Sequence, residues 1–267
     1  MGIYDREYYR GESGGAGLFG GVSPVCNALI AINVAVYVLQ HVLKINAGFI
    51  DQWLAASPDG FWWHGRFWQL LTATFIHDSA PFHILGNMLF LWFVGREIEA
   101  LYGSRDFLAF YLMAAVLSTF VWILCNSFVR SDQRIISFDP NDHHMIGASG
   151  AVMAVVTLFA LFYPHRQVLL FFVIPLPIWV LVVFYLFFPL LDRGNGRPES
   201  NIAIESHLAG AAFAVAFKYY NLRWSRLVSR RLFSRPKLRI FSPTPHETPR
   251  ARSLSPSFTT SPNVMTS

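Results

Sequence analysis

From Val168 to Phe188 the chain runs 21 residues without a charged side chain. A helix needs ~20 mostly apolar residues to cross the hydrocarbon core of a bilayer. Lipid offers backbone groups no hydrogen-bond partner, so such a stretch must satisfy its own as a helix. Similar windows recur at about Pro24–Leu43, Phe82–Leu101, Phe107–Val129, Ile146–Tyr163 and Asn201–Tyr220. Composition agrees: of 267 residues, 54% are hydrophobic and 14% charged, against nearly a quarter charged in soluble domains. The expected fold is all-α, a polytopic membrane protein with six transmembrane helices. Pro175 and Pro177 fall inside the fifth window, and proline at depth is tolerated where neighbours satisfy the freed carbonyls.

The rest of the chain divides around these windows. Residues 1–22 read as a flexible leader, rich in glycine from Gly11 to Gly17 and without the basic region and apolar core of a signal peptide. Residues 23–220 form the membrane domain. Residues 221–267 form a basic, largely disordered tail with nine Lys or Arg and one acid, Glu247. Its basic run, Arg223–Arg239, suits contact with anionic lipid. Between the first and second windows lie Lys44 to Pro81, with tryptophans at 53, 62, 63 and 68. That aromatic content suits a structure in the membrane interface. Asn27, Asn33 and Gln40 interrupt the first window, so that helix is expected to turn them towards other helices. Cys26 and Cys125 both fall in apolar runs, and neither a disulfide framework nor a zinc site is expected.

An even number of spans returns both ends to one side. With those ends in the cytoplasm, inside segments hold 15 Lys or Arg and outside loops 6, the imbalance that the positive-inside rule favours. The expected location is a bacterial inner membrane with both termini cytoplasmic. The second, fourth and sixth spans then start on the outer face. His83, Ser149 and His207 stand near those three starts, so all three share one shallow depth.

Each of these residues has a chemical reading. Ser149 lies in Gly147-Ala148-Ser149-Gly150, where a helix start leaves backbone N–H groups free and the dipole end is positive. Gly147 and Gly150 allow a tight turn and close approach of a substrate. A serine there is suited to be a nucleophile, and glycine and serine are also common in plain helix contacts. His207 is an ionisable group inside a span, which by default points to function, or to a neutral histidine bonded within the bundle. Gly210 and Ala214 follow at +3 and +7, close to its face. Glu205 is two residues away, about 200° around a helix, so it cannot orient the imidazole. A Ser/His dyad is expected, not a triad. His83 and Asn87 are i and i+4 on one face; both can donate a hydrogen bond to an oxyanion, or serve as polar links between helices. Gly86 and Gly95 on the same span would permit close packing against the fourth. His143 and His144 precede the serine motif without a metal-binding pattern. No cofactor, metal or nucleic-acid partner is expected.

Phe82-His83-Ile84-Leu85-Gly86-Asn87-Met88-Leu89-Phe90-Leu91-Trp92, then Gly147-Ala148-Ser149-Gly150, then Ser206-His207-Leu208-Ala209-Gly210 resemble the rhomboid intramembrane serine proteases. The likeness covers about residues 24–220, with the motifs in the family's order. It implies Ser149 as nucleophile and His207 as general base. His83, Asn87 and the Ser149 N–H would bind the oxyanion. The segment after the first span would be the family's interfacial loop, and Pro189–Ser200 the cap over the site. The sequence departs from the family at several positions. Trp68 is followed by Gln69, with Arg66 two positions earlier. His77 resembles a loop histidine of the family, but one residue further from His83. Met153 stands where an aromatic ring often stacks on the histidine, and a thioether can pack on a ring edge. Ser206 and Ala214 replace a common alanine and glycine.

The implied reaction is cleavage of single-span or polytopic membrane proteins near the outer face, through a water-accessible polar cavity. Two other classes compete. An inactive rhomboid-like protein that binds membrane clients would usually lack the serine or the histidine. A transporter would show midplane polar residues and internal repeats, and neither is visible here.

Overall fold

The computed structural model describes residues 23–41, 46–128, 144–170, 174–194, 203–223 and 225. The leader 1–22, most of the tail, residues 130–143 and residues 195–200 lie outside the described residues; residues 189–194, expected as the start of the cap loop, instead continue a helix. What is described is mostly helical.

Helix α1, Pro24–His41, is tied down at its first turn. The N–H groups of Val25 and Cys26 donate to the Glu99 carboxylate at 3.1 and 2.8 Å, and the Ser104 hydroxyl donates to the same group at 2.6 Å. A buried carboxylate thus meets the positive end of a helix. Asn33 and Gln40 are buried as expected, whereas Asn27 is exposed. It lies on the opposite side from Cys26 and Leu29, the residues that face the core.

The next segment folds into three short helices, α2 (Ala47–Trp53), α3 (Pro58–Trp62) and α4 (Gln69–Thr72), the last running on into a tighter turn at Ala73–Phe75. Asn46 and Ser57 cap α2 and α3 by accepting from Gly48 and Gly60 N–H, the usual remedy for orphan donors at a helix start. Arg66 Nη1 and Gln69 Nε2 each donate to the Gln52 carbonyl at 2.9 Å. The Trp53 and Trp68 rings stack, 6.1 Å apart. All four tryptophans of the segment are 40 to 64% exposed.

Helix α5, Pro81–Phe90, passes through a wide π turn at Leu91–Gly95 into α6, Arg96–Tyr102, which stops at Gly103. Gly103 has φ +84°, a conformation that glycine adopts freely at a helix end. The Cys26 thiol donates to the Leu91 carbonyl at 3.1 Å, at the turn where α-helical bonding lapses. Gly95 is close-packed, but against Cys26 of α1 and Phe107, not against the fourth span. Gly86 has open space around it. The turn Leu91–Gly95 does pack on the helix of the fourth expected span, but none of the nearest atoms within 4 Å of a Cβ at these two glycines comes from it.

Helix α7, Ser104–Phe128, is followed by α8, Ser149–Phe162. Eleven of the fourteen residues of α8 are buried, as expected for a helix apolar on every face. It packs most extensively on α10, Ile204–Tyr219, and then on α7. The fifth expected span starts later than its uncharged run. Gln167–Leu170 (β1) and Ile174–Pro177 (β2) pair antiparallel, and α9 begins only at Ile178, running to Gly194. The reason is local: proline has no N–H to give, and it drives the preceding residue into extended backbone. Ile174 and Leu176 each precede a proline.

Two described helices are long and apolar enough to cross a membrane, Pro24–His41 and residues 104–127 within α7. Ser149–Phe162 and Ile178–Phe187 are shorter apolar helices. At 1.5 Å per residue α8 is about 21 Å long, less than the ~30 Å hydrocarbon core.

Candidate active site

The helices α5, α8 and α10 each begin beside one candidate residue. Ser149 is the first residue of α8, His207 the fourth of α10 and His83 the third of α5. His207 is thus one turn into its helix, nearer the end than the sequence window suggested. It is 3% exposed, and Ser149 is half-buried.

Small residues bring α8 against α10. A Cβ on Gly210 would collide with the Gly150 carbonyl oxygen, and one on Gly150 would collide with the Ser206 and Ser118 hydroxyls. Gly150 follows Ser149, and Gly210 lies one turn after His207, so this contact draws the serine and the histidine to one junction. Among the described residues no hydrogen bond joins the Ser149 hydroxyl to the His207 ring, and His207 Nδ1 is buried without a partner.

The turn before Ser149 needs glycine. Gly147 has φ +118°, which L side chains rarely adopt. A Cβ there would meet the His83 ring at 3.0 Å and Ser149 Oγ at 3.9 Å. The His83 ring therefore lies beside the serine. Asn87, one turn later on the same face, is buried. Ala148, the residue before α8, supplies no side-chain cap. The first N–H groups of α8 are left without the remedy that α2 and α3 receive, in the geometry that binds an anion.

What holds this turn is the segment after α1. Ala56 and Met145 exchange two backbone bonds at 3.0 and 2.9 Å, Gly147 N–H donates to the Ala73 carbonyl at 2.9 Å, and Ala148 N–H donates to His77 Nε2 at 3.5 Å. His77 Nε2 also lies 3.4 Å from Asn87 Nδ2, and its ring meets the His83 ring edge-on, centroids 5.4 Å apart. His77 is 1% exposed. Burial first, and the neighbouring His83 second, lower its pKa to about 4. The sequence marked His77 only as a likeness, not as part of a site.

Tyr185 of α9 was also missed. Its ring lies 6.1 Å from that of His207 and makes an edge contact with Phe90 at 6.2 Å. Met153, expected beside His207, is buried in α8, and an aromatic ring near the histidine comes from α9. One signal was present, since Tyr185 is the sole tyrosine of the uncharged run. Among the described residues no three His, Cys, Asp or Glu side chains gather as a metal site.

The Rhomboid domain family model matches residues 64–224. RHOMBOID-like protein 12, mitochondrial, of Arabidopsis thaliana is 30% identical over 203 residues, which cover 74% of this chain and 57% of that protein. Rhomboid protein 1, mitochondrial, of Saccharomyces cerevisiae is 26% identical, covering 72% of this chain and 52% of that protein. Rhomboid protease GluP of Bacillus subtilis is 28% identical, covering 68% and 31%. The chain spans about half the length, or less, of these relatives. The mitochondrial relatives overturn the expected location in a bacterial inner membrane with cytoplasmic termini. Counting charges orients a chain across a membrane but does not say which membrane it is. With its model matched over more than half of the sequence, the chain belongs to the rhomboid family, integral membrane proteins that include intramembrane serine proteases.

Proposed function

We propose that this chain is an intramembrane serine endopeptidase with a Ser149/His207 dyad. Its substrates are single-span or polytopic membrane proteins, met in the bilayer. The six spans of the proposal are α1, α5 with α6, α7, α8, α9 and α10, within a membrane domain at 23–220. The observation that carries the reading is the Gly150–Gly210 contact, which sets the start of α8 against the histidine's turn of α10. Six proposed spans can be reconciled with the short α8, because that helix is enclosed by protein and need not match the lipid thickness.

In the proposed reaction Ser149 Oγ attacks the scissile carbonyl while the His207 imidazole takes the hydroxyl proton. The negative charge on the carbonyl oxygen is met by the Ser149 N–H, His83 and Asn87. The imidazolium returns the proton to the leaving amine as the C–N bond breaks. Water, entering through a polar cavity, then attacks the acyl-serine with His207 again as base, releasing the acid and restoring the hydroxyl. With no acidic third member in the proposal, His207 is oriented by packing. Gly147 keeps the turn open beside His83, and Gly150 and Gly210 let the helices close.

The test is cleavage of a single-span model substrate by the purified protein in liposomes. Ser149→Ala and His207→Ala should each reduce turnover by on the order of 10⁴ or more, and the double change should cost little beyond either, because the two act as a unit. Retained cleavage in Ser149→Ala would sink the dyad. A well-folded wild type that cleaves none of several substrates would move the reading to a client-binding rhomboid.

A further inference from the structure

One imidazole nitrogen in this fold faces two donors. His77 Nε2 receives the Ala148 N–H at 3.5 Å and lies 3.4 Å from Asn87 Nδ2. A backbone N–H can only donate. Nε2 must therefore accept, and a neutral ring must carry its proton on Nδ1. That nitrogen is buried without a hydrogen-bond partner.

The tautomer has a consequence for Asn87. An accepting Nε2 repels a carbonyl oxygen, so the carboxamide must turn its NH₂ towards the ring. An amide nitrogen carries two hydrogens. One is engaged by His77, and the second stays free. The side chain is thereby prevented from flipping its acceptor oxygen into the place where a donor is needed. His77 is itself fixed by its backbone: its N–H donates to Gln40 Oε1 at 3.3 Å, and its carbonyl accepts from Gln40 Nε2 at 3.4 Å. The titratable groups that act on the ring are His83 from α5 and His41 from α1.

We infer that His77 is the positioning residue of the oxyanion side. Its neutral Nε2, fixed as an acceptor by the Ala148 N–H, sets the flip of the Asn87 amide. The inference rests on the protease reading above. It adds that the loop after α4 determines which atom of Asn87 faces the reacting carbonyl.

The experiment is a double-mutant cycle on the full chain in liposomes, with kcat and KM measured on a single-span substrate. The variants are His77→Phe, Asn87→Ala and both together, with thermal unfolding followed beside them. Asn87→Ala should lower kcat roughly 10²–10³-fold. His77→Phe keeps a ring but removes the acceptor, and should lower kcat roughly 10- to 100-fold with KM nearly unchanged. The double variant should be no slower than Asn87→Ala alone, because His77 acts through Asn87. His77→Gln offers an amide oxygen as acceptor and should recover activity. If His77→Phe does not fold, His77→Leu, which also lacks the acceptor, takes its place in the cycle. Effects that multiply in the double variant would overturn the inference, as would a folded His77→Gln no better than His77→Phe. An Asn87→Ala enzyme at full activity would instead remove the oxyanion reading, and the inference with it. Loss of the Ser149 dependence is read separately, in the Ser149→Ala control.

Discussion

The two ends of α8 are held by opposite means. At the C-terminal end Lys218 of α10 donates to the Leu161 carbonyl and lies 4.3 Å over the Phe162 ring. A cation there satisfies an orphan carbonyl and complements the helix dipole. At the N-terminal end no side chain caps the helix. The chain is gripped before the helix starts, by Ala56 on Met145, Ala73 on Gly147 and His77 on Ala148. The closed end uses its free groups for stability. The open end is held from behind, and its first N–H groups receive no side-chain cap. In rhomboid terms, the loop after α1 is the clamp that makes this possible.

The largest way to break that comparison is at Gly210. A valine there would drive Cβ into the Gly150 carbonyl oxygen, and a backbone atom cannot swing aside as a side chain can. Overpacking of this kind costs ~1–3 kcal/mol or more. Gly210→Val should lower the unfolding temperature and abolish cleavage together. Gly86→Ala is the contrast: nothing lies within 4 Å of that position, and alanine favours a helix by up to ~1 kcal/mol. It should be neutral or slightly stabilising in the same thermal assay. Equal tolerance at both sites would mean that glycine contact does not hold the open end.

The helical part of this arrangement was legible in the sequence, and the clamp was not. Uncharged runs place helices because lipid leaves no other choice, and motif spacing put Ser149, His207 and His83 near the helix starts where the structure has them. Three things escaped. The hairpin ahead of α9 escaped because hydropathy cannot tell an apolar strand from an apolar helix, although Pro175 and Pro177 carried the warning. Tyr185 escaped because which face of α9 meets His207 is decided by packing between distant segments. The clamp escaped because Ala56, Ala73 and His77 act mainly through backbone partners around 70 to 90 residues away, and backbone bonding leaves little trace in residue type.

A smaller effect sharpens the comparison through pH. Burial, and then the neighbouring His83, lower the folded pKa of His77 to about 4 from the usual 6.5 of histidine. Above pH ~6.5 the ring is neutral in both folded and unfolded chains. Between ~6.5 and ~4 the unfolded chain binds a proton that the folded chain refuses, so stability falls as pH falls. Below ~4 both are protonated and this contribution is gone. The loss is roughly 3 kcal/mol over that window. Unfolding measured at pH 7 and pH 4.5 should show it in the wild type and show much less in His77→Phe. An equal slope in both would separate the clamp from His77.

The smallest effect belongs at the closed end. Lys218→Met removes the cation but keeps an apolar stem against Phe162. A charge at a helix terminus is worth ~0.3–1 kcal/mol, and a flexible thioether can replace part of the ring contact. The variant should therefore unfold within a few degrees of the wild type. Its turnover of a single-span substrate should match the wild type within about twofold, since Ser149 begins the other end of the helix, ~20 Å away at 1.5 Å per residue. A tenfold fall in kcat without loss of folded protein would break the comparison. It would mean that α8 transmits a shift along its length as a rigid rod, and that the two ends work as one device rather than two.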